Sequence, residues 1–127
     1  MTYYFAKTIP LAFDKAVPHV VDALKKEGFG IITEIDVRDT FKKKLDVEFR
    51  NYRILGACNP KLAFEALGLE DKVGTMLPCN VVVQEKGNAT EVAAIDPVAS
   101  MAAIDNPLLK QAAGIVREKL KRVVESL

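Results

Sequence analysis

The 127-residue chain contains little of what marks several functional classes of protein. It has no tryptophan, one histidine and two cysteines. A single histidine, His19, gives no basis for a Ser-His-Asp or Cys-His catalytic set. The 18 basic and 17 acidic residues leave a net charge of +1, whereas a dedicated nucleic-acid binder carries a basic excess or stripe. We therefore expect no nucleic-acid partner.

Long apolar segments are also absent. No run approaches the roughly 18 to 20 residues that span a bilayer, and residues 1–7 lack the basic start and apolar stretch of a signal peptide. We expect a cytoplasmic protein with no membrane partner, in which two cysteines are thiols, ligands or core residues rather than a disulfide. No phosphate loop, dinucleotide fingerprint or H-E-x-x-H helix is present, so the cofactor stays unknown.

What the chain does have is enough apolar material for a core. Half of its residues are hydrophobic, and no linker, repeat or low-complexity segment divides it, which predicts one domain over residues 1–127. Alternating and Val-rich runs predict strands at Tyr3–Thr8, Gly30–Val37, Phe49–Ala57, Cys79–Glu85 and Thr90–Ile95. Helical spacing and start signals predict helices at Ala12–Glu27, at Arg38–Leu45 with Asp39 or Thr40 as its cap, from Asn59-Pro60 to Gly68, and from Asn106-Pro107 onward.

This order predicts an α+β protein. Consecutive strands with short connections favour an antiparallel sheet, with the two long helices packed on one face. The other face is then open and must be polar, bind a ligand or be covered by a second subunit. Alternation along the second strand places Glu34 and Asp36 opposite Ile31 and Ile35, and hence on the open face.

Four segments resemble one known family. They are Gly28–Val37, Tyr52–Pro60, Leu77–Val83 and the Asp96-Pro97 pair with Met101 downstream. Together they resemble the uncharacterised bacterial and archaeal family known as domain of unknown function 302, over nearly the whole chain. The resemblance implies a two-layer β-α-β4-α arrangement similar to the TATA-box-binding-protein-like fold, and a homodimer. It implies no activity, and similarity to a DNA-binding fold carries no DNA binding with it.

The two cysteines are the first candidates for chemistry. Cys58 ends one predicted strand and Cys79 begins the next, so antiparallel pairing brings the two thiols together. Cys58 also precedes the cap of a helix, whose N-terminal partial charge favours a thiolate. Two sulfurs beside a helix N-terminus suit a soft metal, a redox step or an electrophilic ligand. The alternative is that both are small core residues, because free cysteine is commonly buried and the spacing matches no C-x-x-C or zinc pattern.

Polar residues beside these thiols complete the candidate ligand site. Asn59 is explained as a helix cap, whereas Asn80 is unexpected in a Val-rich strand and either satisfies a buried backbone group or contacts a ligand. Glu34 and Asp36 could do acid–base work or hold a hard cation, although solvation or pairing with Arg53 is the commoner outcome.

Two residues after the last strand are further candidates. Asp96 could act as an acid, and Asp96-Pro97 is expected to end that strand because proline donates no ladder hydrogen bond. Met101 fills the core or adds a thioether to a soft-ligand site.

Three functions are compatible with these features. The favoured one is a homodimeric binding module that uses Cys58, Cys79, Asn80 and nearby backbone to hold a small molecule, a sulfur species or a soft metal. The second is a thiol enzyme with Cys58 as the nucleophile, Asn80 as an orienting group, and Glu34 or Asp96 as an acid. The third is an interaction protein without chemistry.

Overall fold

The architecture is a five-stranded antiparallel sheet with helices on one side, in a computed structural model that describes residues 2–127; Met1 lies outside the described part. The sheet order is β1-β5-β4-β3-β2. Its strands are β1 Tyr4–Ile9, β2 Gly30–Asp36, β3 Tyr52–Cys58, β4 Cys79–Lys86 and β5 Ala89–Ile95. The helices are α1 Phe13–Lys26, α2 Val37–Leu45, α3 Pro60–Leu69, α4 Pro97–Ser100 and α5 Pro107–Ser126, with a 3-10 helix at Asp71–Met76.

The main core lies between the sheet and the two long helices, α1 and α5. Alternate residues of β4 are buried, with Val81 and Val83 fully so, because one face of the strand turns toward the helices. Leu24 of α1 and Leu120 of α5 meet them and are themselves inaccessible to solvent. The predicted α+β class and the placement of two long helices on one face are therefore confirmed.

Asparagine caps begin two of the helices where the sequence predicted. The Asn59 side chain accepts a hydrogen bond from the Leu62 backbone N–H at 3.3 Å, and Asn106 accepts from two first-turn amides of α5. The predicted cap of α2 is wrong. Asp36 caps it, accepting from the Asp39 N–H at 2.9 Å, so Asp39 lies inside the first turn and Thr40 follows it.

The placement of the two acidic residues of β2 on the open face is also wrong. The pairing register between β2 and β3 shifts around Ile32, where a bulge interrupts the strict alternation of side chains. As a result Glu34 lies opposite the fully buried Leu55, on the helix side, and Asp36 shares that side. Ile35 points to the open face instead, where 49% of it is exposed.

The third strand begins later than its apolar residues suggest. It was expected from Phe49 and starts at Tyr52. The partner strand β2 ends at Asp36, which pairs with Arg53, and α2 follows at once, so the earlier residues have no β2 partner. Phe49 packs edge-on against the ring of Phe41 in α2.

None of the helices in residues 2–127 combines the length and the apolar character that crossing a bilayer requires.

Candidate functional site

A second, smaller core lies beyond one end of the sheet. It joins α3, the 3-10 helix, the segment after α4 and the start of α5 around buried residues that include Ala66, Met101 and Leu109. Where α3 and α5 face each other, their inward positions carry alanine: Ala63 and Ala66 on α3, and Ala113 on α5. Alanine side chains are too short to fill the space between two helices that larger neighbouring side chains hold apart. A gap therefore remains between the two hydrophobic cores.

The space that remains is a cavity of about 300 Å³ at the ends of β3 and β4. Among residues 2–127, no charged side chain lines it, and its wall is almost wholly apolar. The lining residues are Phe29, Ile32, Ala57, Cys58, Asn59, Leu62, Ala63, Ala66, Leu67, Gly74, Leu77, Pro78, Cys79, Pro97, Met101, Leu109, Ala112, Ala113 and Val116.

Both cysteines are among the residues that line this cavity. Cys79 begins β4 and pairs with Ala57, and Cys58 is the next residue along β3. Adjacent strand ends therefore bring the two cysteines to one place, as their positions in the sequence suggest. The thiols differ in environment, because Cys79 is buried and Cys58 is only partly so.

The burial of Cys79 suppresses its ionisation. Desolvation by the surrounding apolar groups and, to a smaller extent, the charge of the nearby Cys58 together raise the pKa of its thiol from 9.0 to about 11. Cys79 is therefore a neutral thiol near pH 7 and behaves as an apolar part of the wall.

The two asparagines that follow the cysteines lie in different places. Asn59 lines the cavity, and its side-chain oxygen caps α3. Asn80 is exposed on the opposite face of the sheet, because successive residues of a strand point to opposite sides and Cys79 points inward. The structure thus unites Cys58, Asn59 and Cys79 and leaves Asn80 elsewhere.

The predicted acids are held by arginines away from the cavity wall. Glu34 forms an ion pair with Arg53 at 2.8 Å, and Asp36 lies 3.8 Å from the same guanidinium. Asp96 follows β5 and accepts hydrogen bonds from the Val98 N–H and from Arg117 Nε, at 3.0 and 3.2 Å. None of the three carboxylates lines the cavity.

The cavity lining also contains residue types that bind soft metals, namely Cys58 and Cys79. Within the described residues, no three histidine, cysteine or acidic side chains come together as a metal site would require. Met101, buried in the cavity wall, adds a thioether to the two sulfurs.

From the sequence, Cys58, Cys79 and Met101 could be named as candidates, whereas most of the cavity could not be predicted. Its remaining wall comes from apolar residues such as Phe29, Leu109 and Ala113, which read as ordinary core positions. A signal was present in the alanines of α3 and α5, which fall on inward faces where larger side chains normally pack.

The fold and the cavity together define a small α+β domain with an apolar site at one end of its sheet. A family model, Domain of unknown function DUF302, matches residues 5–127, so the chain belongs to that family and the resemblance seen in its sequence is confirmed. The chain is also similar to a crystal structure of an uncharacterised conserved DUF302 protein from Bacillus stearothermophilus. That likeness covers 98% of both chains at 24% identity and a TM-score of 0.91, and it supports the fold. No protein of curated function matches.

Proposed function

We propose that this protein is a binding module for a small, neutral, apolar molecule held in the cavity between α3, α5 and the ends of β3 and β4. The observation that carries the proposal is the cavity itself, about 300 Å³ of space with no charged residue in its wall. Ligand sites are typically concave and mainly apolar, with few polar groups.

The size of the cavity limits the ligand. A cavity of about 150 Å³ lined by aliphatic and aromatic side chains stays dry and binds benzene. The present cavity is about 300 Å³, which suits a molecule of about two fused rings or an equivalent hydrocarbon chain.

The wall also favours a neutral ligand over a soft metal. A metal needs deprotonated sulfur, and the raised pKa of Cys79, about 11, makes its deprotonation unfavourable near neutral pH. The Asn59 side-chain oxygen already accepts a hydrogen bond from the Leu62 backbone N–H. No charged side chain of residues 2–127 lines the cavity, so a charged ligand would have no counter-charge there.

The proposal includes a homodimer in the cytoplasm. Tyr4, Ile35 and Asn80 are exposed on the face of the sheet away from the helices, and a second copy is the partner that the family resemblance implies for such a face. With the shorter helices set aside, the strands and the two long helices follow a β-α-β4-α order, which supports the likeness to the TATA-box-binding-protein-like fold. Two free thiols suit a reducing compartment. Sedimentation of the full chain tests the dimer.

Binding is tested by titrating methyl-labelled protein with naphthalene and following the methyl signals by NMR. We expect saturable shifts that centre on Met101 and Leu109 of the wall. Ala63→Phe places a ring in the cavity and should weaken binding about tenfold or more, since displaced apolar contact is lost. Ala103→Phe, at an exposed turn residue outside the wall, is the matched control and should bind as the parent does.

A folded Ala63→Phe protein that binds naphthalene as tightly as the parent would contradict the proposal. If this variant fails to fold, Ala112→Phe fills the same cavity from α5 and gives the same comparison.

A further inference from the structure

Cys58 lies near the open side of the cavity. Two of the lining residues, Ile32 and Leu67, are 62% and 44% exposed and therefore form the mouth. Ile32 sits in β2 two residues beyond Gly30, and Gly30 pairs directly with Cys58. Cys58, which is partly exposed, is thus a lining residue near the mouth, whereas Cys79 is buried.

Resting on the proposed binding of an apolar ligand, we propose that Cys58 captures that ligand covalently when it carries a soft electrophile. The chemical class that fits is an α,β-unsaturated aldehyde with a hydrocarbon tail. The tail occupies the apolar cavity and holds the conjugated head beside the Cys58 sulfur at the mouth.

The capture is a conjugate addition and needs no further reactant. The Cys58 sulfur forms a bond to the β-carbon of the ligand, and the π bond between the α- and β-carbons breaks. The thiol proton passes through solvent water to the α-carbon. No group leaves, and no external oxidant or reductant takes part, so the product is a thioether whose mass is the sum of the two reactants.

The composition of the wall makes this chemistry selective for one residue. Within the described part of the chain, no lysine or histidine lines the cavity, so the aldehyde meets no side-chain amine there with which to form an imine. The other thiol, Cys79, is buried, and its pKa of about 11 keeps it protonated and a poor nucleophile. Cys58 is the one nucleophile of the lining that solvent also reaches.

The test compares trans-2-nonenal with acrolein, which has the same reactive head and no tail. For each aldehyde, the rate of adduct formation with the protein is measured by intact mass and divided by the rate of its reaction with glutathione. This ratio corrects for the intrinsic reactivity of the aldehyde. We expect the normalised rate to be about tenfold or more higher for nonenal, because the buried tail concentrates the head at the thiol. Peptide mapping should place the adduct on Cys58.

Three variants separate the contributions. Cys58→Ser should abolish the fast adduct. Ala63→Phe should bring the normalised ratio of nonenal to acrolein close to one, while iodoacetamide still alkylates Cys58. Ala103→Phe should behave as the parent protein.

Each other outcome has a definite meaning. Equal normalised rates for the two aldehydes, or adducts spread over surface lysines, would overturn the inference. If naphthalene still binds in that case, the proposed binding function stands without covalent capture. If naphthalene does not bind either, both the binding function and the capture are wrong.

Discussion

At the scale of single residues, Gly56 of β3 occupies a position where no side chain fits. A Cβ there would overlap the Thr33 hydroxyl on the neighbouring strand and lie 2.7 Å from Cγ of Pro78. We predict that Gly56→Ala lowers the free energy of unfolding by about 1 to 3 kcal/mol, through overpacking at a strand pair. Urea denaturation measures the change.

Gly30 provides the matched control for this prediction. It also lies in the sheet, at the start of β2, and a Cβ there meets nothing within 4 Å. Gly30→Ala should therefore leave stability within about 0.5 kcal/mol of the parent. Equal effects of the two substitutions would show that Thr33 and Pro78 do not crowd Gly56.

The Cys79 thiol predicts a loss of stability at high pH. Its pKa is raised from 9.0 to about 11 in the folded protein, so between these values the unfolded chain has released a proton that the folded chain retains. The contribution is fully present below about pH 9 and is lost as pH rises through about 11, by about 2 to 3 kcal/mol in total. Denaturation at about pH 8 and about pH 10.5 measures it.

Cys79→Ala isolates this effect from the lysines and tyrosines that titrate in the same range. The variant should lose less stability than the parent over that interval. If parent and variant fall equally, Cys79 is not desolvated as described.

Residue types alone predicted part of the site. Cys58 and Cys79 could be placed together, because each flanks a strand end and antiparallel neighbours join such ends. Glu34 and Asp36 could not be assigned to their correct face, because the bulge at Ile32 reverses the alternation and carries no unmistakable sequence signal.

At the scale of elements, an ion pair ties the short helix α4 to α5. Asp96 caps α4 through the Val98 N–H and also binds Arg117 of α5 at 3.2 Å, with its side chain only 12% exposed. Asp96→Asn keeps the cap and removes the charge, so a double-mutant cycle with Arg117→Gln isolates the pair. We predict a coupling free energy of about 1 kcal/mol.

The pair between Arg122 and Glu27 is the comparison for this cycle, since its arginine side chain is 55% exposed and it joins α5 to the residue after α1. It should show weaker coupling, because solvent screens it more strongly. A coupling near zero at Asp96 and Arg117 would mean that α4 is held by packing alone.

The cap of α3 gives a second prediction about an element. Asn59→Ala removes the oxygen that accepts the Leu62 N–H and should lower the free energy of unfolding by about 1 kcal/mol. Asn59→Asp keeps an acceptor and should recover most of the loss in the same denaturation assay. Full stability of Asn59→Ala would show that α3 begins without this cap.

Elements were predicted well where local chemistry marks their ends. In Asn59-Pro60 and Asn106-Pro107, the asparagine side chain can accept a first-turn N–H, and proline fits the first helical position because an N–H there would have no partner in the helix. The helices α3 and α5 begin at these two pairs. The start of β3 could not be predicted from its own residues, because the length of a strand depends on the strand that pairs with it. β2 ends at Asp36, and the apolar Phe49 packs on Phe41 instead.

At the scale of the whole molecule, the cavity arises where the two hydrophobic cores meet and leave the space between them unfilled. The antiparallel sheet and its helix layer follow from the order of elements, so the sequence predicts them. The cavity depends on the spacing of α3 and α5 and on alanines that leave it unfilled. No local pattern encodes that spacing, which is why the thiols were expected to form the site and the apolar wall around them was not.

The most direct measurement of the central claim is a crystal structure of the protein soaked with 2-bromonaphthalene, read from the anomalous signal of bromine. We expect a bromine peak inside the cavity, between Ala63 of α3 and Leu109 of α5, and its loss in Ala63→Phe crystals. Bromine found only on the outer surface, with solvent density filling the space between these helices, would show that the cavity is not a binding site for an apolar molecule.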